Sequence, residues 1–200
     1  MPNDTSDAED PNNVTGQVFL ARHGRTALNA EGRLRGLSNP PLDDVGREEA
    51  QRLGVELATY RPTMVITSPL QRAVSTGQAI AAYAGIPVVK IDGRLNDRDY
   101  GEWTGHPRAE VEEHFGSVDA APGVEPAATV AQRAIAALAA LTSENPRGPL
   151  VLVSHDAFNS ALLAALDPGL TDLTQHTGCY NQLTRVDGRW HVDVINRVPG

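Results

Sequence analysis

Short apolar runs alternate with helical patterns along most of the chain, and this alternation limits the possible folds more than any other feature of the sequence. Six runs have the length and composition of buried strands: residues 17–21, 63–67, 88–91, 150–154, 180–186 and 190–195. Helical periodicity occurs between the first four of these runs. Strands that alternate with helices form mostly parallel sheets that are covered on both faces. The sequence therefore predicts an α/β fold, a three-layer α/β/α sandwich with a mostly parallel central sheet.

The predicted helices have recognisable start and stop signals. Four helices are expected, over residues 41–60, 68–84, 126–142 and 156–167. Asp43 or Asp44 is a candidate N-cap of the first. The second is expected to start at Ser68-Pro69, with serine as the N-cap and proline at the first helical position, and to stop at Gly85.

Two further segments complete this plan. Asp187-Gly188 separates the last two predicted strands, and this favoured turn dipeptide predicts a C-terminal antiparallel hairpin. Residues 105–124 are punctuated by glycine and proline, with a short helix expected at 108–115. We expect this segment to cross the edge of the sheet, where a lid over a site would lie.

The composition fits one globular domain and argues against several kinds of partner. Two hundred residues with 40% apolar content can form one substantial core. The first 13 residues contain four acidic and no basic residues, so residues 1–15 are expected to be a disordered acidic tail before a single domain over 16–200. No basic patch with interleaved aromatic residues is present, which argues against nucleic acid as the main partner. No apolar run approaches the ~18 residues that span a bilayer and no signal peptide is visible, so we expect a cytoplasmic protein without a membrane partner.

Side chains suited to phosphoryl transfer occur at or near the ends of the predicted strands. Arg22 and His23 follow the first strand, Arg72 lies beyond the second, Asp97 beyond the third, and His155 follows the fourth. The carboxyl ends of parallel strands meet at one edge of a sheet, so these side chains are expected to converge. Arginines neutralise phosphoryl oxygens, an imidazole can attack phosphorus, and a carboxyl group can protonate the leaving oxygen.

Four segments carry these residues in a definite order along the chain. They are FLARHGRTALNAEGRLRGLSNPPLDDVGREEAQRLG, ITSPLQRAVSTGQAIA, RLNDRDYGEWTG and VLVSHDAFNSALL. Each resembles a motif of the histidine phosphatase superfamily, the phosphoglycerate-mutase-like enzymes, and the match runs from residue 17 to about 195. Four ordered motifs over this length identify the chain as resembling a member of that superfamily.

The resemblance implies a role for each of the convergent side chains. His23 is implied to be the nucleophile that forms a phosphohistidine, although a histidine after a strand can instead be a packing residue. Arg22 and Arg72 are implied to hold the transferred phosphoryl group, although a lone arginine on a helix is more often a surface charge. His155 is expected to donate to a phosphoryl oxygen and to be protonated when phosphate is bound.

The resemblance also implies contacts further from the reacting atoms. Asn29 lies where the family places a phosphate-contacting amide, although an asparagine there can instead cap a helix or a turn. Arg35 and Gly36 resemble residues that line the substrate side of the pocket. The two histidines could instead bind zinc, but no third ligand has recognisable spacing, so neither a metal nor another cofactor is expected.

The general acid is where the sequence departs from the family pattern. Members usually have glutamate at the position of Asp97, and aspartate is shorter by about 1.5 Å, one carbon–carbon bond. Asp156, directly after the second histidine, is the rival, because the acid phosphatase and phytase branch has a proton-donating aspartate there. Its alternative role is that of a helix N-cap. We favour Asp97 as the acid.

A second departure is Arg25, where relatives often have glutamate. An additional cation at the mouth of the pocket would favour substrates with a second anionic group. The side chain could instead form a surface ion pair with Glu31, which would contribute little.

The sequence therefore predicts a metal-independent phosphomonoesterase with a phosphorylated small molecule as its substrate, acting as a monomer or homodimer. One alternative is a phosphoglycerate-type mutase, but such enzymes usually carry a larger insertion over the site than the short span after Trp103 allows. The other alternative is a phosphate-binding regulatory protein that has lost activity, because Asp97 replaces the usual glutamate.

Overall fold

The computed structural model describes residues 14–171 and 173–200, which form a single sheet with helices on both faces. The strands are β1 (Val14–Arg22), β2 (Met64–Thr67), β3 (Lys90–Ile91), β4 (Leu150–Ser154), β5 (Tyr180–Val186) and β6 (Arg189–Arg197). The α-helices are α1 (Ala27–Ala30), α2 (Asp44–Ala58), α3 (Gln71–Ala84), α4 (Arg108–Phe115), α5 (Ala127–Glu144) and α6 (Asp156–Leu166). Most of the expected acidic tail, residues 1–13, lies outside the described residues, and its last two residues belong to β1.

The sheet has the predicted mostly parallel architecture. Its strand order is β3-β2-β4-β1-β5-β6. The first four strands, β1 to β4, all run parallel to one another. Strand β5 is antiparallel to both β1 and β6. The final hairpin turns at Asp187 and Gly188, whose φ angles are 50° and 79°. Positive φ at both central residues is typical of a favoured two-residue hairpin turn. The predicted α/β class and the C-terminal hairpin are confirmed.

Both faces of the sheet are covered, because side chains of a strand alternate between its two faces. On β1, Val18 and Leu20 pack into a cluster with residues of α5 and α6. Phe19 and Ala21 face the other way and pack against residues of α2 and α3. The two clusters enclose the sheet between two helical layers, which confirms the three-layer sandwich.

The predicted start of α3 is wrong. The helix begins at Gln71. Its N-cap is Leu70, whose side chain makes no capping hydrogen bond. Instead, the backbone N–H of Gln71 donates to Oδ1 of Asn39 at 2.6 Å. The hydroxyl of Ser68 lies 2.7 Å from Nε2 of His155. The side chain of Asn39 thus satisfies the first N–H of the helix, and Ser68, which accepts from the backbone N–H of Leu70 at 3.4 Å, lies before the cap.

The other helix boundaries follow their local signals. Asp43, not Asp44, caps α2 by accepting from the backbone N–H of Gly46 at 2.8 Å. α3 ends at Gly85, which has a φ of 69°, as a left-handed C-terminal glycine does. α4 spans the residues predicted for the short helix, and α5 extends to Glu144, two residues beyond the prediction.

The excursion (residues 105–124) packs against the loop that follows β1. Its apolar residues form a small cluster with Leu34 and Tyr100. The backbone N–H of Leu34 donates to the carbonyl of His106 at 2.9 Å, and that of Gly105 donates to the carbonyl of Leu34 at 2.7 Å. The excursion is therefore joined to the chain segment that carries Arg35.

The topology brings three chain segments to one edge of the sheet. Because β4 is inserted between β1 and β2, the carboxyl ends of all three strands are adjacent. The backbone N–H of His23 donates to the carbonyl of Ser154, and that of Ser68 donates to the carbonyl of Val153, each at 3.1 Å. Residues that follow the three strands are consequently held together by backbone hydrogen bonds.

Helix length also bears on contact with membranes. Within the ranges 14–171 and 173–200, no helix combines the length and the apolar character needed to cross a bilayer. The 18-residue helix α5 uses its apolar residues in the core, where Val130, Ala134 and Leu138 are buried.

Two glycines allow the turn after β1 to touch the start of α2. A Cβ on Gly24 would collide with the backbone carbonyl of Gly46, and a Cβ on Gly46 would collide with the carbonyl of Arg25. Glycine inside a helix is unfavourable, so its presence near the start of α2 reflects this close backbone approach.

Replacing Gly46 by alanine is therefore expected to destabilise the protein by about 1–3 kcal/mol, because the added methyl group has no space. Urea denaturation measures the change in the free energy of unfolding. Gly93→Ala is the control, since a Cβ at Gly93 would have no neighbour within 4 Å. Equal stability of the two variants would contradict the close-packing argument.

Candidate active site

His23 has the geometry of a neutral nucleophile. Its ring is fully buried in the turn after β1, and Nδ1 lies 2.7 Å from the carbonyl oxygen of Gly24. A carbonyl oxygen can only accept, so Nδ1 carries the proton and Nε2 keeps a lone pair. That lone pair accepts from Nε of Arg72 at 3.2 Å. Burial, reinforced by the positive charge of Arg72, lowers the pKa of His23 well below its usual 6.5.

Arg72 is the centre of the polar cluster. It is the second residue of α3 and is fully buried, so the surface-charge alternative is wrong. Besides His23, its guanidinium donates to the carbonyl of Gly36 at 2.8 Å, the carbonyl of Ser38 at 2.6 Å and Oδ2 of Asp97 at 3.1 Å. Burial lowers the pKa of Arg72 to about 10, although the charge of Asp97 opposes that change.

His155 faces the same centre from the end of β4. Its ring centroid lies 5.1 Å from that of His23, and Nδ1 is 3.8 Å from Oδ2 of Asp97. The other nitrogen, Nε2, lies 2.7 Å from the hydroxyl of Ser68. Burial and the charge of Arg72 lower the pKa of His155 well below 6.5, which favours the neutral ring around pH 7.

Three buried nitrogens at this site have no hydrogen-bond partner within the described part of the chain. They are Nε of Arg22, Nε of Arg35 and Nδ1 of His155. Leaving a buried polar group unsatisfied costs about 1–3 kcal/mol, so such groups call for an explanation. Because both guanidinium nitrogens are donors with positive charge, their missing partner is an acceptor, and an anion suits it best.

Asp97 is buried beside Arg72 and His155. Its Oδ1 accepts from the backbone N–H of Arg98 at 2.9 Å. Burial raises the pKa of Asp97 above its usual 3.8, and the charges of Arg72 and Arg35 oppose that rise. Arg133 of α5 donates to the backbone carbonyl of Asp97 at 2.8 Å. The shorter carboxyl group therefore reaches the cluster on a backbone that a second arginine holds in place.

Asp156 is arranged differently. It is the first residue of α6, and the N-cap is His155, so the alternative in which Asp156 caps that helix is wrong. Its Oδ2 lies 3.5 Å from Nη1 of Arg22, and its Oδ1 accepts from the backbone N–H of Gln175 at 3.1 Å. Arg22 also donates to the carbonyl of Gln175. These contacts orient Arg22 from behind the site.

The remaining predicted residues lie on the loop after β1. Oδ1 of Asn29 accepts from the backbone and hydroxyl of Thr26, at 3.0 Å and 2.8 Å, in a capping box at α1. The capping alternative is therefore observed, and a phosphate contact by Asn29 stays a prediction. Gly36 has a φ of 49°, and a Cβ there would lie 3.0 Å from the Tyr100 ring, so the loop requires glycine as it passes over Arg72.

Arg25 forms an ion pair, but its partner is Asp43 and the predicted pairing with Glu31 is wrong. Nε of Arg25 lies 2.8 Å from Oδ2 of Asp43, the cap of α2, whereas Glu31 pairs with Arg33. The turn after β1 runs alongside α2, which brings Asp43 within reach. Arg25 is thus neutralised within the chain.

Three residues of the cluster were not assigned to the site from sequence. Ser68 contacts His155, Gln175 supports Arg22, and Arg133 holds the backbone at Asp97. Ser68 lies in the segment after β2 that was expected to converge on the site, but the only role predicted for it was that of a helix cap. Neither Gln175 nor Arg133 belongs to a recognisable spacing. No group of three or more His, Cys, Asp or Glu side chains in the part of the chain that the structure covers could hold a metal ion.

Comparison with known proteins identifies the family of the chain. Residues 18–198 match the histidine phosphatase superfamily (branch 1). The uncharacterized phosphatase PhoE of Bacillus subtilis (strain 168) is 28% identical over 182 residues, which cover 90% of this chain and 93% of PhoE. A glucosyl-3-phosphoglycerate phosphatase of Mycolicibacterium vanbaalenii is 33% identical over 172 residues, 75% of this chain and 73% of that protein.

A solved structure shares the fold. The structure of mycobacterial glucosyl-3-phosphoglycerate phosphatase in complex with VO3 has a TM-score of 0.81 at 28% identity. The similarity covers 90% of this chain and 98% of that one. The chain therefore belongs to the histidine phosphatase superfamily, branch 1, and is a phosphatase of that family.

Proposed function

We propose that the protein hydrolyses phosphate monoesters of small molecules, without a metal, through a phosphohistidine on Nε2 of His23. The supporting observation is a set of three buried nitrogens, on Arg22, Arg35 and His155, that have no hydrogen-bond partner among the described residues and lie around a neutral imidazole. The oxygens of one phosphoryl group would supply those partners. The guanidinium charges would stabilise the transition state as a metal ion does in other phosphatases.

In the first step, the lone pair on Nε2 of His23 attacks phosphorus. The bond between phosphorus and the ester oxygen breaks, and this oxygen leaves with the bonding pair and takes the proton of Asp97. Nδ1 keeps its proton, and its hydrogen bond to Gly24 holds the ring in position during the attack.

In the second step, water attacks the phosphorus of the phosphohistidine. The bond between phosphorus and Nε2 breaks, its electron pair returns to the ring, and the carboxylate of Asp97 accepts a proton from the water. Inorganic phosphate leaves, and His23 and Asp97 return to their starting protonation states.

The charged groups act on the phosphoryl oxygens in both steps. Arg72, which donates to Nε2 of His23, would donate to a phosphoryl oxygen once phosphorus is bonded to that nitrogen. His155 would donate from Nδ1 if the hydroxyl of Ser68 donates to its Nε2, because a neutral ring carries one proton. These donors are held before substrate arrives, which is the condition for electrostatic catalysis.

Protonation and geometry favour Asp97 over Asp156 as the acid. A general acid must hold a proton at the working pH, and burial raises the pKa of Asp97. Its Oδ2 lies within 4 Å of both Arg72 and His155. Asp156 is instead engaged with Arg22 and the backbone of Gln175.

The structural observations bear on the alternative functions as well. A mutase must hold the carboxylate of a sugar acid while the phosphoryl group moves, and Arg25, the additional cation at this end of the sheet, is paired with Asp43. Assaying isomerisation of 3-phosphoglycerate with a bisphosphate primer distinguishes a mutase from a phosphatase. A regulatory protein without activity would bind phosphate and leave p-nitrophenyl phosphate intact.

The phosphohistidine can be tested directly. Radiolabelled phosphate ester, quenched with alkali during turnover, is expected to leave label on His23 that is released by acid. His23→Ala is expected to abolish the label and to lower kcat by about 10⁴-fold or more. His191→Ala is the control, because that histidine is exposed on β6. Turnover without label on His23 would contradict the mechanism.

The acid can be identified with substrates that differ in leaving group. For an alkyl phosphate, Asp97→Asn is expected to lower kcat by about 10²–10⁴-fold, because the departing alkoxide needs a proton. For p-nitrophenyl phosphate the loss is expected to be much smaller, since its leaving group needs little protonation. Asp156→Asn is expected to act mainly on KM, through Arg22, and to affect both substrates equally. If instead Asp156→Asn slowed the alkyl phosphate far more than p-nitrophenyl phosphate and Asp97→Asn did not, the acid would be Asp156.

The pH dependence follows from the two shifted groups. Activity requires neutral His23, and burial lowers the pKa of His23, so the rate is expected to fall only well below pH 6.5. Activity on alkyl phosphates also requires protonated Asp97, so kcat/KM is expected to fall as pH rises through the raised pKa of Asp97. In pH profiles of kcat/KM, this fall at high pH should be seen with an alkyl phosphate and should be much weaker with p-nitrophenyl phosphate. The same fall with both substrates would exclude Asp97 as the acid.

A further inference from the structure

A cavity of about 970 Å³ opens beside the proposed acid. Asp97 contributes to its wall, and none of His23, Arg22, Arg72 and His155 does. The cavity therefore reaches the segment that carries the proposed acid. A cavity of this size suits a small-molecule ligand.

Most of the wall is apolar. Its apolar residues include Ala136, Ala137 and Ala140 of α5, together with Leu37, Val124 and Pro126. Leu37 is 44% exposed although it is a large apolar side chain. The small side chains on α5 leave the space open, and the larger apolar side chains offer contact to a hydrophobic group.

The two cations that line the cavity are already neutralised. Arg94 pairs with Asp92 at 2.6 Å and with Glu144 at 2.7 Å. Arg133 pairs with Glu125 at 2.8 Å. Both guanidinium groups are therefore committed to carboxylates of the chain itself.

The carboxylates at the wall also have partners. Glu125 accepts from Arg133 and from the backbone N–H of Asp99, the latter at 3.2 Å. Asp99 accepts from the backbone N–H of Gly101 at 2.8 Å. Along the described wall of the cavity, a second anionic group on a substrate would meet these carboxylates and guanidinium groups that are already paired.

Taking the proposed function as its basis, we infer that this cavity binds the alcohol part of the substrate and that this alcohol is largely apolar, without a second anionic group. The departing oxygen must lie next to the acid that protonates it. The alcohol attached to that oxygen then extends from Asp97 into the adjoining cavity. The phosphoglycerate group named for the relatives carries a carboxylate, so the inference sets this chain apart from them.

A series of alkyl phosphates tests the inference, because their leaving groups have similar basicity and differ mainly in apolar area. From ethyl through butyl and hexyl to octyl phosphate, kcat/KM is expected to rise about twofold to fourfold per CH₂ until the cavity is filled. 3-Phosphoglycerate is expected to be a poorer substrate than hexyl phosphate.

Two matched variants of α5 test whether the cavity is the site of this selectivity. Ala136→Asp places a carboxylate at the cavity wall and is expected to lower kcat/KM for octyl phosphate by about tenfold, since the charge resists desolvation. Activity on ethyl phosphate should fall much less than activity on octyl phosphate, because a two-carbon chain fills little of the cavity. Ala139→Asp, exposed on the same helix but outside the cavity wall, carries the same helix-propensity cost and is expected to change neither rate.

The outcomes separate the inference from the proposed function. If p-nitrophenyl phosphate is hydrolysed in a manner that requires His23 but the alkyl series is flat, or 3-phosphoglycerate is preferred, the inference fails and the proposed function stands. If chain-length selectivity is the same in Ala136→Asp and Ala139→Asp, the cavity is not the binding site. If no ester is hydrolysed, the proposed function and the inference fail together.

Discussion

The site depends first on one buried guanidinium. Arg72 has no exposed surface, and a charge so placed requires hydrogen-bonding partners. Its donors reach the ring of His23, the carboxyl group of Asp97 and two carbonyls of the loop after β1, those of Gly36 and Ser38. The proposed nucleophile, the proposed acid and the loop above them are therefore positioned by the same cation. The parallel strands deliver these groups to one edge of the sheet, and Arg72 sets the distances between them.

Burial also shifts the pKa values of the proposed nucleophile and the proposed acid in opposite directions. It disfavours charge on every group, so it lowers the pKa of His23 and raises that of Asp97. A neutral imidazole and a protonated carboxyl group are the forms that the proposed first step consumes. The aspartate that replaces the usual glutamate reaches Arg72, and Arg133 holds the backbone that carries it. The departure from the family pattern is thus accommodated by packing.

The sequence predicted the fold class and all six strands, because alternation and apolar runs report burial directly. It also selected the side chains that meet at the site, since family motifs and strand ends agree. It assigned Ser68 to the wrong partner, and it paired Arg25 with Glu31 instead of Asp43. It gave no sign that Gly46 is needed for the contact between α2 and the turn after β1. Each of these contacts joins residues that are distant in the chain or that lie on different elements.

The sequence by itself determined the elements, their order, and the histidines, arginines and aspartates that follow the strands. These features depend on residues that are near neighbours along the chain, and local periodicity and motifs record them. The tertiary structure alone decided which hydrogen-bonding groups stay unpartnered, which cations are already neutralised, and where open space adjoins Asp97. Those properties depend on distances between segments that the fold brings together, and no local pattern encodes such distances.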